Sequence, residues 1–212
     1  SLVRLVVGGP GFSTFPQPPS TDAYVKIVFA KPELGLEPPY DLAELRETLP
    51  AEDIPLTRTY TVRAVDHEAG TLTLDFVVHG DAGLAAPWAR DAQPGDRIVF
   101  QGPGGSYTPD ASADWHLLAG DLSALPAVAA ALEALPDDAR GYAFLVVDED
   151  DDRLELTAPE GVEIVWAVGS EGGAATDLLV DTIRSRPWLE GRVHVFAHGE
   201  RESIKQVRAL LK

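Results

Sequence analysis

"WHLLAGDLSALPAVAAALEAL", residues 115 to 135, decides the architecture of this chain. Trp115 to Gly120 form an unbroken apolar run, the mark of a strand buried on both faces. "LSALPAVAAALEAL" follows, rich in Ala and Leu at helical spacing. Downstream come "GYAFLVVD", "LELTA", "GVEIVWAV", "AATDLLVDTIRSR", "RVHVFAHG" and "ERESIKQVRALLK". Strands alternating with helices predict a parallel α/β sheet with crossovers. Trp115 and Trp166 read as core strand residues, and Trp188 as packing at a helix end. His116, His194 and His198 lie on or beside apolar strands and read as core or rim histidines rather than ligands. The run "DEDDD" (148 to 152) is consecutive, unlike a spaced calcium loop, and reads as an exposed turn.

Upstream of residue 110 the grammar differs. Gly and Pro recur every ten or so residues, with short alternating runs between them. Expected strands are Leu2–Val7, Tyr24–Phe29, Arg58–Asp66, Thr71–Val78 and Arg97–Gln101, with "DHEAG" as a hairpin turn. Short strands at this spacing predict an all-β barrel or sandwich. "EPPYDLAELRETLPAEDIP" interrupts them as an acidic helix or loop. The expected organisation is therefore a β-barrel domain over residues 1–110 and an α/β domain over 111–212, joined near residues 108 to 114.

Composition excludes several classes of function. With 17 basic and 34 acidic residues the formal net charge is -17, which argues against nucleic acid and against an anionic membrane surface. The absence of cysteine excludes disulfides, thiolate metal sites and cysteine nucleophiles. No apolar run reaches membrane-spanning length. The chain opens abruptly in "SLVRLVV" without Met or a signal-peptide pattern, so it reads as a piece of a longer protein, with a cytoplasmic location expected. "GGPG" (8 to 11) and "GPGG" (102 to 105) are turns, since neither meets a dinucleotide or P-loop fingerprint.

Two stretches in the first half carry candidate chemistry. "RTYTVR" (58 to 63) is ordinary strand alternation, or a grip on a flat anion. Arg58, Tyr60 and Val62 share one face, with Thr59, Thr61 and Arg63 on the other. Arg pairs two-pronged with phosphate, Tyr stacks on planar rings, and Thr61 offers a hydroxyl or a backbone N–H. "HGDAGLAAPWA" (79 to 89) supplies small residues that allow close approach of backbone N–H groups, with a helix expected to start near Pro87.

Together, "RTYTVR" and "LDFVVHGDAGLAAPWARDAQPGDRIVFQGPGGSY" resemble the siderophore-interacting proteins, the FAD-dependent ferric-siderophore reductases. The resemblance extends from "LVRLVVGGPG" to "VHVFAHGERESIKQVRALL". It implies a ferredoxin reductase-like fold: an antiparallel flavin-binding barrel followed by a parallel-sheet nucleotide-binding domain. It further implies FAD as cofactor, with Arg58 on its phosphates, Tyr60 against the isoalloxazine and Thr61 near its reactive edge. His79, Gly83, Ala85, Ala86, Trp88 and Ala89 match the segment cradling the pyrophosphate and adenosine side. Asp121, Ser123 and Ala124, in "AGDLSALPAV", match the turn that faces flavin and nicotinamide.

Several positions depart from the family's pattern. Leu122 and Ser123 stand where the family has Glu and Thr. Val168, Gly169 and Ser170 stand where an Arg often serves a nucleotide phosphate, which leaves NADH and NADPH both open as electron donors. Relatives continue beyond Lys212 through a segment rich in Trp, Tyr and Arg. The implied activity is reduction of Fe(III) in a ferric siderophore by flavin electrons from NAD(P)H, with no catalytic acid–base pair and no protein-ligated metal. Lys26, Arg63 and Arg90 are available for a basic rim. Three alternatives remain: a carrier that binds flavin or siderophore without turnover, a flavin reductase with another acceptor, and a ferredoxin-type protein as electron donor.

Overall fold

The computed structural model describes residues 2–18, 20–78, 83–169 and 173–212. The chain divides into two compact units. One comprises Val3–Pro18 and Ala23–Gly104; the other comprises Gly105–Lys212 together with Ser1–Leu2 and Pro19–Asp22.

The first unit is built on a five-stranded antiparallel sheet. Its strands are β1 (Leu2–Gly8), β2 (Tyr24–Phe29), β3 (Leu56–Asp66), β4 (Thr71–Val77) and β5 (Phe100–Gly104), in the order β1-β4-β3-β2-β5. Helix α1 (Leu42–Thr48) falls in the acidic interruption, capped by Asp41, whose carboxylate accepts from the N–H groups of Ala43 and Glu44. Helix α2 (Ala85–Asp91) starts at Ala85, two residues before the expected start at Pro87, because Pro is tolerated within a first turn. Val25, Ile27, Leu72, Leu74 and Phe76 are fully buried and form the core with Ala85 and Ala89 of α2. Across β4 and β1, the Asp75 carboxylate is buried and accepts two bonds from Arg4, at 2.7 and 2.8 Å.

β5 lies three residues beyond the expected strand, Arg97–Gln101. Its last residues are Gly102, Pro103 and Gly104, which read as a turn. As the edge strand next to β2, β5 has one side without a partner strand among the described residues, so the missing N–H of Pro103 breaks no ladder there.

The second unit carries four parallel strands: β6 (Trp115–Asp121), β7 (Arg140–Val147), β8 (Gly161–Val168) and β9 (Val193–His198), in the order β8-β7-β6-β9. Helix α3 (Leu125–Glu133) covers one face, where a Cβ on Gly120 would lie 2.9 Å from the Cβ of Ala124. Helices α4 (Gly173–Arg184) and α5 (Arg201–Leu210) cover the other, where Leu179, Val180, Ile183 and Val207 meet Trp115, Leu117 and Phe144. Burial on both faces explains why β6 reads as an unbroken apolar run.

"LELTA" forms no strand, and no helix joins β7 to β8. That connection holds a 3-10 turn over Asp150–Asp152, then extended chain. Leu154 and Leu156 are half-buried between exposed neighbours, so the alternation is real but has no partner strand. The acidic run that precedes them offers no apolar stripe on which a crossover helix could dock.

Candidate functional site

The candidate residues fall into one group in each unit. On β3, Arg58 lies opposite Ile27 and Tyr60 opposite Val25. Both β2 residues are fully buried, so Arg58 and Tyr60 share the core-facing side of the sheet, with buried Val62 beyond them. Tyr60 is half-buried, its ring centroid 4.2 Å from that of Phe76. Burial pushes its hydroxyl above the ordinary phenol range, and the nearby Arg58 charge partly offsets this. The Arg58 guanidinium is exposed and, among the described residues, donates only to the backbone carbonyl of Thr57, at 2.9 Å. Thr61 is half-buried beside Tyr24 on the neighbouring strand.

Helix α2 brings Trp88 to the same aromatic group, at 5.9 Å from Phe76 and 6.1 Å from Phe29. Ala85, Ala86 and Ala89 are buried, so their side chains seat the helix on the core, and Trp88 is the part of this helix that extends the aromatic surface. Gly83 is exposed with φ +88, a left-handed conformation that favours glycine just before the helix. His79 lies outside the described residues. Phe76 and Phe29 carry Tyr60 and Trp88. Their only sequence signal was inward alternation on a strand, which marks core and platform alike.

In the second unit, Asp121 closes β6 and organises the turn into α3. Its carboxylate accepts from the N–H of Ser123 (2.9 Å), the hydroxyl of Ser123 (2.5 Å) and the N–H of Ala124 (3.3 Å). Its second oxygen accepts from the N–H of Glu200, at 2.5 Å, beyond the end of β9. A Cβ on Gly199 would come within 2.4 Å of that oxygen, and Gly199 has φ +145, so glycine is required on both counts. The Glu200 carboxylate caps α5 on the N–H groups of Glu202 and Ser203. Leu122 is buried, which accounts for an apolar residue in the turn. Strand order reverses between β6 and β9, so Asp121, Ser123, Ala124 and the Gly199–Glu200 turn stand where an open α/β sheet takes ligands.

Two of the three strand histidines, His116 and His194, lie in and at the rim of the core, whereas His198 is exposed. His116 is buried, and burial together with neighbouring His194 holds it below the ordinary imidazole range. His194 accepts from the N–H of Asp110 at 3.0 Å and is stacked on Tyr107. Trp115 is fully buried and Trp188 is exposed, edge-on to it at 4.7 Å. Among the described residues no group of three or more His, Asp or Glu is arranged to hold a metal ion, and no helix is long and apolar enough to cross a membrane.

An antiparallel sheet followed by a parallel one with this topology is a ferredoxin reductase-like fold. Ferredoxin-NADP+ reductase of Plasmodium falciparum shares it with a TM-score of 0.67 at 14% identity, over 99% of this chain and 81% of that one. Residues 1–107 match the siderophore-interacting FAD-binding domain and residues 113–212 the siderophore-interacting protein family. The chain belongs to the siderophore-interacting proteins. An uncharacterized protein of Mycobacterium tuberculosis is 46% identical, over 96% of this chain and 75% of that protein. The ferric vibriobactin reductase ViuB of Vibrio cholerae is 35% identical, over 100% and 78%. A siderophore utilization protein from T. fusca, seen in a crystal structure, superposes with a TM-score of 0.82 at 38% identity, over 99% and 80%.

Proposed function

We propose that this protein is a flavin-dependent ferric-siderophore reductase working in the cytoplasm. Residues 1–110 hold FAD and residues 111–212 accept NADH or NADPH. The observation that carries the flavin reading is Tyr60, a half-buried ring seated on Phe76, two residues from an exposed guanidinium on the same face. A planar ring with an attached phosphate fits that pair: Tyr60 supplies a stacking face and Arg58 paired donors. A bound flavin would supply the redox chemistry between the nicotinamide donor and Fe(III), which arrives inside its chelator as substrate.

The chain's own residues bind and orient. Tyr60 holds the ring system, Arg58 neutralises phosphate charge, and Thr61, whose side chain lies on the other face of β3, meets the ring edge through its backbone N–H. His79, Gly83, Ala85, Ala86, Trp88 and Ala89 belong to the segment assigned to the pyrophosphate and adenosine side. Asp121, Ser123 and Ala124 form the nucleotide-facing turn, and the engaged Asp121 carboxylate keeps that turn rigid. An anionic ferric chelate is supported by an open cleft of about 690 Å³ in the first unit, which Lys26, Arg46, Thr57 and Gln101 help to line. Lys26 and Arg46 have no ion-pair partner among the described residues, whereas Arg90 is paired with Asp91.

Anaerobic titration of the FAD-loaded protein with NADH and with NADPH tests the reading. The expected result is bleaching of the flavin absorbance by at least one nucleotide. Addition of a ferric siderophore should then restore the colour, with Fe(II) trapped by a ferrous chelator. A protein that takes up no FAD would overturn the flavin assignment. Flavin that neither nucleotide bleaches would point to a carrier or to a ferredoxin-type donor, and bleached flavin that does not reduce the siderophore to another acceptor.

A further inference from the structure

The sheet of the second unit grows from β6 through β7 to β8, then returns to β9 on the opposite side of β6. The connections leaving β6 and β9 therefore depart toward opposite faces of the sheet, the position at the carboxyl ends of the strands where an open α/β sheet forms its ligand crevice. Acidic residues dominate this end of the sheet. Asp121 and Glu200 stand there with their carboxylates engaged on backbone N–H groups, and the run Asp148–Asp152 follows β7. The described end of β8 adds only Val168 and Gly169.

Two cationic or cationisable residues bracket the Gly199–Glu200 turn. His198 is the last residue of β9 and Arg201 the first of α5, and both are exposed. Neither side chain has a hydrogen-bond or ion-pair partner among the described residues. Arg153, Arg184, Arg186, Arg192 and Lys205 in the same unit are each ion-paired. The His198 ring rests on Phe196, with centroids 4.8 Å apart, so one imidazole face is held against the strand and both nitrogens remain available.

We propose that His198 and Arg201 are the anion contacts of this crevice, and that the anion is a phosphate group of the pyridine nucleotide. The inference rests on the reading that this unit binds NADH or NADPH. A guanidinium presents paired N–H donors to phosphate oxygens, and an imidazole adds a single directed one. With Asp121 and Glu200 committed to backbone, these two side chains supply the positive charge that a dianionic or more highly charged ligand requires next to so many acids.

The test is calorimetric titration of oxidised, FAD-loaded protein with NAD+, NADP+ and ADP-ribose, none of which reduces the flavin. Arg201→Gln should weaken binding about tenfold and His198→Gln about threefold, with Arg201→Lys in between. Arg208→Gln, an exposed change in the last turn of the same helix, should leave binding unchanged. Equal losses for all three ligands assign the contact to the bridging diphosphate; a loss confined to NADP+ assigns it to the extra ribose phosphate. Either result supports the inference. Wild-type affinity for all three in both Gln variants would overturn it while leaving nucleotide binding intact. If wild-type protein binds none of the three and neither reduced nucleotide bleaches the flavin, the nucleotide reading falls and this inference falls with it.

Discussion

Removing the ring of Tyr60 separates stacking from strand structure. Tyr60→Ala should weaken FAD binding by about 1–3 kcal/mol, whereas Tyr60→Phe should retain most of the affinity. Flavin fluorescence on titration with FAD measures both, and an unchanged Ala variant would contradict the stacking role. Arg4→Met leaves the buried Asp75 carboxylate without its two-pronged partner and should cost about 2–3 kcal/mol, read by urea unfolding. Tyr107 behaves in the opposite sense. Its hydroxyl is buried with no hydrogen-bond partner among the described residues, so Tyr107→Phe should be neutral or stabilising by up to about 1 kcal/mol. Burial, and then the Asp22 charge, push this phenol from 10.0 up to about 12. The folded-state value is raised, so the contribution is intact below pH 10 and is lost as pH rises toward 12. Across that window wild-type stability should fall by about 1.4 kcal/mol per pH unit from this group, a slope the Phe variant lacks.

At the scale of elements, the β6–α3 and β9–α5 turns act as one device because a single carboxylate, Asp121, holds both. Gly199→Ala places a methyl group 2.4 Å from the Asp121 carboxylate at a positive φ, and should cost roughly 2 kcal/mol and weaken nucleotide binding. Thermal melts and the calorimetric titration read the two effects separately. Elements with a strong internal signal were legible in sequence: β2 and β6 from their apolar pattern, and α3 from its Ala and Leu. Those that depend on a neighbour were not. β5 runs through Gly-Pro-Gly because it is an edge strand, and Leu154 and Leu156 alternate without becoming a strand because no free edge meets them. Alternation reports which side faces the core, and is silent on whether another backbone lies within reach.

The whole molecule is strongly acidic, with a sequence pI of about 4.5. Its solubility should pass through a minimum near pH 4.5, where self-repulsion vanishes, and turbidity across an acid series checks this. The sequence by itself determined the order of a β-rich half and an α/β half, since hydrophobic period is a property of consecutive residues. It also placed the Arg58–Tyr60 pair on one strand face and set a net charge that argues against nucleic acid. Only the tertiary structure decided what those residues rest on. The Phe76 seat beneath Tyr60 and the Asp121 bridge to Glu200 both join residues distant in the chain. Such relations arise from which strands become neighbours. That choice is made by burial of apolar faces summed over a whole sheet, and no single stretch records it.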